Sequence, residues 1–304
     1  MAVAQPNVKS NAARLSVASN SALVALKLGV GLWIGSVAVL AEAIHSGIDL
    51  LAALIAWYAV RVADAPPDAD HPYGHGKVES VSGTVEAMLI FLAGGWIVYE
   101  AVQGIVSGHR AATPVWGAAV MGLSAVANWF VSRHLLAVAK AHDSVALEAD
   151  AHHLTVDVYT SVGVFVGLGL VALTGWHLLD PIVAIGVGLL VVRTAIGITK
   201  TAFQPLIDAT LPPEEVAAVE TAIGADDRVR GYHHLRTRKS GSVRFVDFHL
   251  LLDDHLPLCD AHRISHEVKG KVLEALPGAV IEIHVEPYEE ELRDKGDAIT
   301  LPAA

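Results

Sequence analysis

Residues 37–60 read VAVLAEAIHSGIDLLAALIAWYAV. A hydrocarbon core of ~30 Å needs ~20 predominantly apolar residues in a helix, and this run meets that length with His45 and Asp49 inside it. Ionisable side chains at such depth are costly and face a bundle interior or a water-filled cavity rather than lipid. A step of four residues is little more than one helical turn, so the two side chains share a face. A second run, ADAHHLTVDVYTS at 149–161, repeats the spacing with His153 and Asp157. His152, beside His153, points about 100° away and is not expected to join them.

Two such faces set against each other supply two imidazoles and two carboxylates. That N2O2 set suits tetrahedral Zn2+, and also accepts Co2+, Cd2+, Fe2+ or Mn2+. The alternative is two unrelated helices, each His merely hydrogen-bonded to its neighbouring Asp. A closed set of four protein ligands leaves no position for a reactive water, which disfavours catalysis, and no HExxH pattern is present. Movement of the helices would open such a site to either side of a membrane. Ligation needs neutral His and ionised Asp, so protons compete with metal for the same atoms of His45, Asp49, His153 and Asp157, and imidazole is the side chain whose ordinary titration lies nearest neutral pH. A metal–proton exchanger is therefore expected, with a sensor on the same fold as the competing class.

Composition agrees with a lipid solvent. The chain of 304 residues is 53% hydrophobic and 17% charged, unusual for a water-soluble globule. Its single cysteine, Cys259, excludes a disulfide or a cysteine metal cluster within one chain. The net charge of −11 lies mostly in the last third, which argues against nucleic acid, whose phosphates want a basic face. No removable signal peptide is read in the first sixteen residues.

Six spans are expected at 16–35, 37–60, 81–106, 114–131, 146–173 and 181–202, giving a membrane domain over 16–204 behind a short cytoplasmic segment, 1–15. With both termini inside, Lys9, Arg14, Arg61, Lys77, Arg133, Lys140 and Lys200 fall on the cytoplasmic side of an inner (plasma) membrane and Arg110 alone outside. Trp33, Trp96, Trp116 and Trp176 then lie toward the outer ends. Lys27 and Glu86 are further intramembrane charges, the first expected to snorkel and the second to face a water cavity.

Residues 205–288 change texture. LPPEEVAAVETAIG has a helix start and helical spacing, GYHHLRTR and VRFVDFHLLL alternate, residues 258–276 are amphipathic, and AVIEIHVEP alternates again. The order αββαβ is that of a small ferredoxin-like α+β domain. The charged tail, 289–304, is expected to be disordered. His249 shares its strand face with Asp247, and His284 and Glu286 share the polar face of the last strand. His233 lies on the first strand, next to His234, and His262 on the second helix. The loop DADHPYGHGK places Asp68, His71 and His75 around a turn, a set able to hold one metal. Asp64 and Asp70 are expected to attract cations without ligating them. Lys77 and Asp208 could form an ion pair bracing the helices. His109, His134, His142, His177, His255 and His266 are read as surface residues.

HSGID, HPYGHGKVES, HHLTVD, HHLRTR and IHVEP together resemble the cation diffusion facilitator family, over about residues 13–287. The resemblance implies a homodimer that exports a divalent metal by proton antiport. It implies that His45, Asp49, His153 and Asp157 hold the transported ion, and that Asp68, His71 and His75 form a peripheral site. It further implies regulatory ions on His233, His249, His262, His284 and Glu286 bridging the dimer. His45, where many bacterial members have Asp, tilts the resemblance toward zinc.

Overall fold

A computed structural model describes residues 6–35, 37–107, 115–176 and 178–295, and the chain divides into two compact units, one ending at Gln204 and one beginning at Pro205. Arg110, His109 and His177, residues 1–5 and 296–304, and the Trp116 side chain lie outside the described residues.

Among its described residues the first unit holds six long helices: α1 (Pro6–Ile34), α2 (Val37–Ala63), α3 (Lys77–Ser107), α4 (Val115–His142), α5 (Val145–Thr174) and α6 (Leu179–Phe203). Among the described residues, five are long and apolar enough to cross a bilayer. The exception, α4, carries Arg133, His134, Lys140 and His142 in its second half. Several helices outrun the expected spans, α1 beginning at Pro6 and α4 ending at His142. Hydropathy marks only the lipid-buried length, whereas the backbone ladder continues beyond it. The segment 1–15, expected ahead of the first span, is thus helical from Pro6 onward.

Close helix approach uses small residues, as expected where lipid offers no hydrophobic drive. A Cβ on Gly188 of α6 would stand 2.7 Å from Val98 and 3.2 Å from the Gly94 carbonyl oxygen of α3.

The end of this unit that carries the start of α1 is tied by a buried ionic network. Lys9 Nζ lies 2.5 Å from Asp64 Oδ1 and 3.0 Å from Glu79 Oε1. Ser144 Oγ donates to Glu79 Oε2 at 2.5 Å and caps α5 by accepting from the Leu147 N–H. Four segments are joined, and Asp64, expected to act by its field alone, is an ion-pair partner. Lys27 is buried and donates to Ser46 Oγ at 2.8 Å, so it does not snorkel.

The second unit runs α7 (Pro213–Gly224), β1 (Gly231–Ser240), β2 (Val243–Leu252), α8 (Leu258–Ala275), β3 (Val280–Pro287) and α9 (Tyr288–Lys295). Pro213 opens α7 at a position where its missing N–H costs nothing. The sheet order is β1-β2-β3, antiparallel then parallel. This is the αββαβ order expected. Val219 and Ile223 of α7 and Ile264, Val268 and Val272 of α8 pack with Val246, Phe248 and Leu250 of β2, leaving the other sheet face for the histidines. Residues 288–295 are helical rather than disordered, and Glu291 of that helix comes within 3.9 Å of His233.

Candidate metal centre

The repeated four-residue spacing converges across helices. His45 and Asp49 on α2 and Asp157 on α5 offer ligand atoms that all lie within 4.8 Å of one another. His153 joins them through Asp49, its Nε2 lying 3.1 Å from Asp49 Oδ1. Asp49 and His153 are buried, Asp157 is partly buried and His45 is exposed. The reading in which each His merely bonds its own helix neighbour does not describe this contact, which crosses from α5 to α2.

Asn128 of α4 donates from Nδ2 to Asp157 Oδ2 at 3.2 Å, a partner that sequence reasoning missed. A cavity of about 1,600 Å3 reaches the centre, lined near its base by Lys27, His45, Asp49, His153 and Asp157 and farther along by Glu100 and Asp180. It thus extends toward the ends of the helices remote from Lys9 and Glu79. Glu86, expected to face water, is fully buried and does not line it.

The loop residues form a second cluster. Asp68 lies 3.3 Å from both His71 Nδ1 and His75 Nε2, and the three ligand atoms fall within 4.8 Å of one another. The backbone N–H groups of Asp70 and His71 donate to Asp68 Oδ1, folding the carboxylate back over the turn. The His71 N–H holds the Asp68 carboxyl below its ordinary value, with further help from both imidazoles.

In the second unit, His233 and His249 are register partners across β1 and β2, and His249 and His284 across β2 and β3. Glu286 gathers them: Oε2 lies 2.7 Å from His233 Nε2, and Oε1 lies 2.9 Å from His249 Nδ1 and 3.5 Å from His284 Nε2. Burial would raise the Glu286 carboxyl, but His233 and His249 outweigh it and hold it below its ordinary value. Adjacent residues on a strand face opposite ways, yet His234 also stacks near His249, with ring centroids 5.1 Å apart. A bulge between His233 and Arg236 and a positive φ of 52° at His234 bring this about. His262 sits against His266 on α8, with ring centroids 4.5 Å apart, outside the group formed by His233, His249 and Glu286. Asp247 is exposed. Asp208 lies 3.8 Å from Arg238.

Comparison with known proteins follows the same division. Residues 13–207 match the cation efflux transmembrane domain and residues 211–288 the cation efflux protein cytoplasmic domain. An uncharacterised transporter of Synechocystis, sll1263, is 34% identical over 91% of this chain and 89% of its own. The cation-efflux pump FieF of Klebsiella pneumoniae is 33% identical over 91% of this chain and 92% of its own, and that of Salmonella typhi is 31% identical over the same shares.

Proposed function

Because the chain belongs to the cation diffusion facilitator family of divalent-cation efflux proteins, we propose that it exports Zn2+ from the cytoplasm in exchange for protons, as a homodimer. The observation that carries this reading is the convergence of His45, Asp49 and Asp157 within 4.8 Å at the base of the membrane cavity, with His153 bonded to Asp49.

The chemistry follows from those atoms. In the present arrangement His153 Nε2 and Asp49 Oδ1 satisfy each other with one shared proton. A metal that takes both atoms must displace that proton, which leaves the site when both ring nitrogens of His153 carry one and moves to Nδ1 when they do not, because ligation needs neutral imidazole and ionised carboxylate. Proton return from the outer side reverses the exchange and expels the ion. Asn128 holds the Asp157 carboxylate in place for the incoming charge. Two imidazoles beside two carboxylates favour zinc over the harder Mn2+.

The loop cluster is read as a peripheral, weakly holding site, and the cluster on β1, β2 and β3 as a regulatory one. In the second, His262 would come from the other copy, since within one chain it lies beside His266. The orientation that fits the Lys and Arg distribution puts both termini in the cytoplasm.

Vesicles reconstituted with the chain test the exchange. An imposed pH gradient should drive zinc flux, and Cd2+, Co2+, Fe2+ and Mn2+ added in turn should compete less well than zinc itself. Flux indifferent to the gradient would remove antiport, and stronger competition by another ion would remove the zinc assignment.

A further inference from the structure

Besides Glu79, which pairs with Lys9, two carboxylates outside the metal centre are buried among the described residues of the membrane unit. Glu86 on α3 is fully buried, and neither of its oxygens has a hydrogen-bond partner. Asp150 on α5 is 1% exposed, and its Oδ2 lacks a partner too. Their helices are packed in register: a Cβ on Gly83 would stand 3.1 Å from Val145, and Ala87 and Ile90 share a core cluster with Ala149 and Val156. Glu86 on α3 and Asp150 on α5 therefore flank one helix interface. Ser82 lies near Glu86 and Ser16 near Asp150, both buried and with hydroxyls short of hydrogen-bond geometry.

Position along the helices gives the group its place in a route. Asp150 is three residues before His153, about 4.5 Å along the axis, and Glu86 is seven residues beyond Glu79, about 10 Å. The acid pair thus lies between the Lys9–Asp64–Glu79 network and the metal centre. The cavity that reaches the centre from the other end does not include the pair. Lys9, the buried cation at the end opposite the cavity among the described residues, is already engaged by Asp64 and Glu79. Ionised carboxylates buried without hydrogen bonds are costly unless a cation compensates them or a proton neutralises them.

We propose that Glu86 and Asp150, with the hydroxyls of Ser16 and Ser82, form a loading station for the divalent cation. An ion entering from the Lys9 end is held between the two carboxylates before it passes to Asp49, His153 and Asp157. An all-oxygen set does not favour zinc over harder divalent ions, so selection is left to the imidazoles farther in. The station rests on the metal-export reading above.

Zinc uptake into proteoliposomes, with the ion supplied on the side bearing the termini, tests it. The double variant Glu86→Gln/Asp150→Asn should raise the half-saturating zinc concentration about tenfold and leave the maximal rate within about twofold. The charge-preserving Glu86→Asp, whose carboxylate is drawn back by one methylene, should fall between the parent and the double variant. An unchanged half-saturation overturns the station, as does a change confined to the pH dependence of flux, which would assign the pair to protons. Should the double variant not accumulate, Asp150→Asn and Ser16→Ala carry the same test singly, with shifts of about threefold expected. A parent chain that moves no zinc strikes the export reading instead, so the two failures are told apart.

Discussion

Asn128 shows how much of a site a single side chain can hide. It has no partner on its own helix that would mark it, and its role appears only because α4 brings it against Asp157. Asn128→Ala should leave the carboxylate without its donor, a loss of about 1 kcal/mol, and raise the half-saturating zinc concentration several-fold in a flux assay. His45, Asp49, His153 and Asp157 were legible because each pair repeats at four residues on a lipid-spanning helix. Lys9 and Glu79, seventy residues apart, and Ser144 and Glu79, sixty-five apart, were not. No local spacing encodes a contact between distant helices. Asp150 carried a signal that could have been read, an acid one turn before His153.

A second residue-scale prediction concerns pH. Hydrogen bonds from Arg228, reinforced by Lys271 and opposed by burial, hold the Asp226 carboxyl far below its ordinary value. Its folded value therefore lies below the unfolded value of about 3.9. The stability it contributes is present above that unfolded value and is lost as pH falls through the carboxylate range toward the folded one. Amide protection in β1, measured by hydrogen exchange on the whole chain, should hold near neutrality and decline below about pH 4. Asp226→Asn should lower protection at neutral pH and flatten the acid decline.

At the scale of elements, packing rests on specific small residues and caps. Gly188 lets α6 meet the Gly94 backbone of α3, and Gly188→Leu should force the two apart at a cost of about 1–3 kcal/mol. A lowered thermal midpoint in detergent is the check. Ser144 both caps α5 and donates to Glu79. Ser144→Ala should cost about 1–2 kcal/mol and speed hydrogen exchange in the first turn of α5, leaving β1–β3 unchanged. The strands themselves were legible from period-two alternation, but the bulge at His234 was not. Alternation predicts opposite faces for His233 and His234, and only the positive φ at His234 turns both toward His249. The tail was misjudged for a related reason: its charge predicts solvation, yet residues 288–295 continue directly from β3 as a helix and bring Glu291 near His233.

For the whole molecule, the division into a helical membrane unit and an αββαβ unit follows from hydropathy and periodicity, because lipid and water impose different patterns on the same backbone. Six helices bring four ligand-bearing positions from two of them to the base of one cavity, and a buried ionic network ties the opposite end. That asymmetry is what an exchanger needs, one side open to the ion while the other is tied. The most direct measurement is zinc movement in proteoliposomes under an inward proton gradient, for the parent chain and for Asp157→Ala side by side. The account predicts gradient-driven zinc flux from the parent and a loss of at least about a hundredfold from the variant, because a four-ligand site deprived of a carboxylate leaves the ion short of both charge and coordination. Equal flux from the two would contradict it.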